Sequence, residues 1–326
     1  MLNHERPIKE CEEVLDKLKE KNKESDVWSD EEIIKLEKKL KELKSKVYSE
    51  LSPWERVSIC RHPNRPHGLD YVQNLCESFE EISGDRLYAD DRAVITAFGM
   101  IQGKKVVIIA QEKGHDTESR LHHNFGMSHP EGYRKALRAM QLAEKFGLPV
   151  LCLIDTPGAF PGLAAEERGQ GWAIAKNLLE MAKLRTPTIA LVIGEGCSGG
   201  ALGIGIADCV VMLEHSYYSV ISPEGCASIL WKESSKSEEA AAALKILPEN
   251  LLEFGVIDEI IEEPLGGAHH DKEAMFARVK EFVSRKISEL KTQPIDTLIE
   301  NRYQKFRKMG QCINLDETTT QSSSSD

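Results

Sequence analysis

Apolar residues recur along this chain in two rhythms. From Ile8 to Leu51 they stand at Ile8, Cys11, Leu15 and Leu18, then at Ile33, Leu36, Leu40, Leu43 and Val47, in steps of three and four among Lys and Glu. That period predicts two helices meeting along a seam. Ser29-Asp30-Glu31-Glu32 reads as a capping box that opens the second. The hairpin is expected to serve as a packing arm for an oligomer or partner. Ser52-Pro53-Trp54-Glu55 starts another helix, with Pro at its first position. Asp70 is expected to cap a helix running to about Ile82.

Beyond Gly84 the rhythm changes to short apolar runs separated by turns. Ala93–Ile101 and Val106–Ala110 flank Gln102-Gly103-Lys104 and predict a β-hairpin. A polar loop from Gln111 to His129 precedes a helix over Pro130–Phe146. Buried strands are expected at Pro149–Ile154, Ile189–Ile193, Cys209–Leu213, Tyr218–Ile221 and Val256–Ile261. Helices are expected from about Ala164 to Leu184, from Ala201, from Ser222, over Glu238–Leu247, over Asp271–Leu290 and around Thr297–Met309. Repeated strand–turn–helix units indicate an α/β domain. The expected division is an N-terminal helical arm (1–83), a core (84–265), C-terminal helices (266–312) and a polar, disordered tail (313–326).

Composition narrows the class. A chain of 326 residues, 41% hydrophobic, builds a sizeable core. A formal charge of −11 argues against a general nucleic-acid binder. Eight scattered cysteines without a C-x-x-C pair read as reduced, mostly buried thiols. No apolar run approaches a membrane span, and the acid-rich start has no leader pattern, so the expected location is the cytoplasm.

The chemistry concentrates in two glycine turns, each after a buried strand: Thr156-Pro157-Gly158-Ala159-Phe160-Pro161-Gly162 and Gly194-Glu195-Gly196-Cys197-Ser198-Gly199-Gly200. Turns at the same edge of a sheet can line one pocket. Glycines let backbone N–H groups approach a ligand, and a helix N-terminus behind them makes an oxyanion site. Neither turn is a P-loop or a dinucleotide fingerprint. Gly196 to Gly200 also matches the G-x-S-x-G nucleophile elbow. A serine hydrolase using Ser198, with Asp258 and His269 following in order, is therefore an alternative. Another is an acyl-CoA hydratase or isomerase with Glu195 or Glu166 as its acid–base. The loop carrying His115, His122, His123 and His129 lacks metal-ligand spacing. With Lys113, Arg120, Arg134, Lys135 and Arg138 nearby, it reads as a cationic surface or a solvated loop. Arg61, His62, Arg65 and His67 either bind a phosphate or fix a turn.

Four blocks, Arg120–Arg138 (RLHHNFGMSHPEGYRKALR), Ile154–Gln170 (IDTPGAFPGLAAEERGQ), Gly194–Leu202 (GEGCSGGAL) and Ser219–Trp231 (SVISPEGCASILW), stand in this order. They resemble the carboxyltransferase α-subunit family of bacterial acetyl-CoA carboxylase, over residues 5–310. Cys197 stands where that family more usually has glycine, which removes no backbone N–H. The resemblance implies a crotonase-like α/β fold of ββα turns (ClpP/crotonase superfamily). It also implies transfer of a carboxyl group from carboxybiotin, borne on a biotin carboxyl carrier protein, to acetyl-CoA, giving malonyl-CoA for fatty acid synthesis. The backbone N–H groups of Gly199, Gly200 and Ala201 would form the oxyanion hole for biotin. Thr156, Gly158, Ala159, Phe160 and Gly196 would line its pocket. Arg120, Arg134 and Lys135 would be available for anionic groups or a partner. The resemblance implies an α2β2 assembly whose zinc sits on a ribbon of the β partner, no metal on this chain, and ATP use by a separate biotin carboxylase.

Overall fold

The computed structural model describes residues 3–25 and 30–310. Helices α1 (Arg6–Ser25) and α2 (Asp30–Ser49) form the expected hairpin. Ile8 and Leu15 are buried, but Cys11 is exposed. The helix turns instead toward Glu12, whose carboxylate pairs with Lys44 at 2.5 Å. The expected Ser29 cap and the tail at 313–326 lie outside the described residues.

Ser52 caps α3 (Pro53–Cys60) in a full capping box with Glu55. The helix expected to run to Ile82 is α4 (Gly68–Leu75), which stops earlier. Asp70 is its third residue rather than its cap, and its carboxylate accepts from the His67 N–H at 2.8 Å. Residues Ser78–Glu81 are instead β1, an edge strand ahead of residue 84, where the core was expected to open. Its Glu-rich, mostly exposed sequence has one apolar residue, Phe79, packed on the core, too little to read as a strand but suited to an edge.

Strands β2 (Val94–Ile101) and β3 (Lys104–Gln111) form the expected hairpin. Its tight turn places both Gln102 and Gly103 at positive φ. After α5 (Thr117–His122) and α6 (Pro130–Phe146) comes β4 (Val150–Thr156). The single helix expected at 164–184 is two, α7 (Leu163–Glu167) and α8 (Gln170–Lys183), parted at Gly169 with φ +83°. Strand β5 (Thr188–Cys197) takes in the first four residues of the glycine stretch. Helix α9 (Ser198–Leu202) starts before Ala201 and lasts five residues. Then follow β6 (Cys209–Leu213), β7 (Tyr217–Ser219), α10 (Pro223–Trp231), α11 (Ser237–Leu244), α12 (Pro248–Glu253), β8 (Glu259–Ile261), α13 (Lys272–Lys291) and α14 (Ile295–Arg307).

The sheet runs β1-β2-β3-β4-β5-β6-β8, with β7 paired to the far end of β5. It is antiparallel through β3 and parallel beyond. Alternation along β5 feeds two cores. Ile189, Leu191 and Ile193 meet Tyr71 and Leu75 of α4 and Val279 and Val283 of α13. Ala190 and Val192 share the other face with Ala136 and Met140 of α6 and Met181 of α8.

Helix α14 is held by a buried charge. The Arg302 guanidinium, 1% exposed, donates to both oxygens of Asp208 at 2.8 and 2.7 Å. It also donates to the carbonyls of Met181, Leu184 and Thr186. Removing the arginine leaves a buried carboxylate without its partner. We expect Arg302→Met to cost about 3–5 kcal/mol and to lower the thermal midpoint on the order of 10 °C. An unchanged midpoint would show that Asp208 is satisfied some other way.

Candidate active site

Parallel β4 and β5 end side by side, with Thr156 opposite Gly196, so both glycine turns leave the same edge of the sheet. They then meet. A Cβ built on Gly200 would stand 2.6 Å from the Gly158 carbonyl carbon and 2.7 Å from the Ala159 nitrogen. No side chain fits there, so this glycine is required by the close approach of two backbones.

The turn between β5 and α9 is made at Ser198, whose φ of +54° is a strained position for a non-glycine residue. The N–H groups of Gly199, Gly200 and Ala201 follow, in the first turn of α9, where a helix has no earlier carbonyl to receive them. With five residues, α9 contributes a one-turn dipole, so the aimed N–H groups carry the effect. Gln111, fully buried at the end of β3, fixes their direction. Its Nε2 donates to the Gly200 carbonyl at 2.8 Å, and its Oε1 accepts from the Asp155 N–H at 3.1 Å. Peptide planarity then holds the Ala201 N–H on the opposite side.

The facing turn is equally tied. The Thr156 hydroxyl donates to the Gly126 carbonyl at 2.6 Å and accepts from the Gly158 N–H at 3.1 Å. The Phe160 N–H donates to Ser128, and Gln170 donates to the carbonyls of both Ser128 and Phe160. An apolar cleft of about 320 Å³ adjoins Ser198 and Gly199, walled by Leu202, Ile206, Tyr218 and Val220. Thr156, Gly158, Ala159, Phe160 and Gly196 do not line it. They build the turns beside it.

Beneath the turns lies a buried charge network. Lys113 pairs with Asp155 at 2.6 Å and Glu195 at 2.5 Å. Glu195 also accepts from Arg61 at 2.7 Å and from the Tyr217 hydroxyl at 2.5 Å. Asp155 takes the Glu195 N–H at 2.9 Å and faces His67 at 2.9 Å. Burial alone would raise the Glu195 carboxyl, but Lys113 and Arg61 outweigh it and hold the pKa down at about 2. Asp155 is likewise held low against its burial, chiefly by Lys113. A carboxylate so stabilised is a poor general base near neutrality. Glu166, the other acid–base candidate, is exposed on α7.

The remaining candidates separate. Asp258 accepts from Val210 N–H and pairs with Lys305, and His269 stacks on His62, so the described contacts form no Ser198–His–Asp triad. Arg134 is taken by Asp85 and Glu131, and buried Lys135 by Asp90 and the Asp91 carbonyl. Arg120 is half-buried and lines a second cavity, of about 290 Å³, with Arg61, Lys113 and Glu195. Arg65 is internal, bidentate to Glu263 and bonded to the Ile193 carbonyl, so this part of the loop fixes a turn. His115 pairs with Asp70, His123 meets the Arg92 carbonyl and His129 packs at a tilt against Phe160. The roles of Gln111, Asp155 and Tyr217 were not visible in the sequence. The available signal was a polar residue ending an apolar strand.

Residues 1–310 match a protein family described as acetyl co-enzyme A carboxylase carboxyltransferase-like. The chain belongs to this carboxyltransferase family. Among its relatives is the acetyl-coenzyme A carboxylase carboxyl transferase subunit alpha of Chlamydia pneumoniae, 59% identical over 322 residues, covering 99% of this chain and 98% of the relative. The protein of the same name from Chlamydia trachomatis serovar L2 is 57% identical over 324 residues, covering 99% of each. Solved structures show the same crotonase-like fold. One is a Pseudomonas malonate decarboxylase hetero-tetramer in complex with coenzyme A, with TM-score 0.58, 18% identity and coverage of 72% of this chain and 91% of that one. Another is the transcarboxylase 12S core, with TM-score 0.56, 20% identity and coverage of 69% and 41%.

In this carboxyltransferase fold the charge network makes the site acid-sensitive. Glu195 is depressed, so its stabilisation is present above the ordinary carboxyl range near pH 4.5 and is lost as pH falls toward about 2. Lys113→Met lets burial dominate and raises the carboxyl pKa. We expect the acid-unfolding midpoint to move to higher pH, followed by circular dichroism. A midpoint equal to wild type would contradict the pairing.

Proposed function

We propose that this chain is the α half of a biotin-dependent carboxyltransferase that moves a carboxyl group from carboxybiotin to acetyl-CoA and forms malonyl-CoA. The observation that carries this reading is the start of α9. Three consecutive backbone N–H groups open this helix, an apolar cleft adjoins its first two residues, Ser198 and Gly199, and among the described residues no nucleophile–base pair stands beside them.

That arrangement suits a reaction whose charge develops on oxygen. Cleavage of the N–CO2 bond of carboxybiotin releases CO2 and leaves the ureido group anionic, with charge on its oxygen. The N–H groups of Gly199, Gly200 and Ala201 receive that oxygen, and the apolar wall strengthens each hydrogen bond by excluding water. The ureido nitrogen then takes a methyl proton from acetyl-CoA, and the enolate attacks CO2. Biotin ends neutral and the new C–C bond completes malonyl-CoA. No side chain of this chain exchanges a proton, in keeping with a Glu195 carboxylate locked by cations.

In this reading Gly158 and Ala159 hold Gly200 in place, with Thr156, Phe160 and Gly196 supporting the two turns. Arg120 meets an anionic group of CoA, the carrier or a partner. Arg134 and Lys135 are internal and are withdrawn from that role. The enolate oxygen is held by a zinc-ribbon β partner in an α2β2 assembly. The carrier protein delivers carboxybiotin, and a separate biotin carboxylase consumes the ATP.

The test is incorporation of labelled bicarbonate into malonyl-CoA in a system reconstituted with the β partner, carrier and biotin carboxylase. Gly200→Val forces the turns apart and should lower transfer by about 10²–10³, with biotin carboxylation unchanged. Ser198→Ala should stay within about threefold of wild type, because its hydroxyl takes no part. Wild-type transfer by folded Gly200→Val, or a collapse of transfer in Ser198→Ala, would overturn the assignment.

A further inference from the structure

The start of the helical arm meets the loop before α13 in a cluster unrelated to the cleft. We propose that Glu5, His269 and His270 form a site for one divalent transition-metal ion, with Zn²⁺ the best fit, that pins the arm to the core. The sequence reading places no metal on this chain, and this inference stands independently of the carboxyl-transfer reading.

Several observations converge. One ligand atom from each of the three residues lies within 4.8 Å of the others. Both ring nitrogens of His269 are shielded from solvent and make no hydrogen bond, an uncommon and costly state for an imidazole. Its ring is held in place by stacking on His62, with centroids 3.9 Å apart and planes 18° from parallel. The His270 Nε2 and Glu5 Oε1 stand 3.5 Å apart. Two ligands each about 2.0–2.1 Å from a tetrahedral zinc ion would be separated by about 3.4 Å.

The backbone is shaped around these rings. Gly266 and Gly267 take φ +98° and +106°. A Cβ on Gly266 would stand 2.6 Å from the His270 ring, and one on Gly267 would stand 3.2 Å from the His269 ring. The Tyr48 hydroxyl of α2 donates to Glu5 Oε1 at 3.1 Å, the kind of outer hydrogen bond that orients a ligating carboxylate. Two imidazoles and one carboxylate, with a water completing the shell, suit zinc rather than the oxygen-rich shells of calcium or magnesium. Because Glu5 precedes α1 and the histidines precede α13, one ion would tie the start of the arm to the loop that leads into the C-terminal helices.

The experiment titrates Zn²⁺ into the full-length, chelator-treated chain by calorimetry, with Co²⁺ as a spectroscopic substitute. We expect one saturable ion per chain and a tetrahedral Co²⁺ spectrum. His270→Ala and Glu5→Gln, neither in the core, should each weaken binding by about tenfold or more. A Cys11→Ser, His122→Ala, His123→Ala chain should bind as wild type. Zn²⁺ should slow proteolytic release of the arm severalfold in wild type but not in His270→Ala. Absence of one-to-one binding, binding undiminished in both ligand variants, or binding lost in the Cys11/His122/His123 control would overturn the proposal.

Discussion

The contact on which the site depends is backbone against backbone, with Gly200 laid on Gly158 and Ala159. It brings the ends of two parallel strands into one unit and leaves no room for a side chain. Gln111 ties that unit to the neighbouring strand by bonding both the Gly200 carbonyl and the Asp155 N–H. The helix-start N–H groups are therefore oriented before any ligand arrives, which is the condition under which oxyanion stabilisation is large.

The charges below this unit serve the same end. Lys113, Asp155, Glu195, Arg61 and Tyr217 form a closed network at the ends of β3, β4, β5 and β7. A buried ionic network is a weak source of net stability but loses much when one member is removed. Its value here is positional, because it joins α3 to the strand ends that carry both glycine turns. Its cations keep Glu195 ionised, so in the proposed reaction the stabilisation of a developing oxyanion falls to the backbone.

Much of this was legible beforehand because it rests on local rules. Short continuous apolar runs located most of the strands, and the helix start at Ser52-Pro53 and the Gln102-Gly103 turn formed as read. Both glycine turns follow buried strands and meet. What was not legible depends on long-range partners. Strand β1 carries a single apolar residue, Phe79, too weak a signal to read as a strand, and forms by pairing with β2. Gly169 looks like an ordinary helix residue until its positive φ breaks the helix. Arg134 and Lys135 read as free cations because their carboxylates, at Asp85 and Asp90, lie about fifty residues away in sequence. Glu195 was read as a possible acid–base group and Lys113 as part of a cationic surface, not as partners of one another, since burial and pairing are set by the fold.

The central claim is that this chain supplies half of a split active site, the half that holds the biotin oxyanion. The most direct measurement is the reverse reaction, decarboxylation of malonyl-CoA with free biocytin as acceptor. It would be followed for the chain alone and for the chain mixed with a zinc-ribbon β partner. The account predicts biocytin-dependent turnover only in the mixture. Turnover of a CoA thioester by the chain alone, without biocytin, would contradict it and identify a self-contained enzyme.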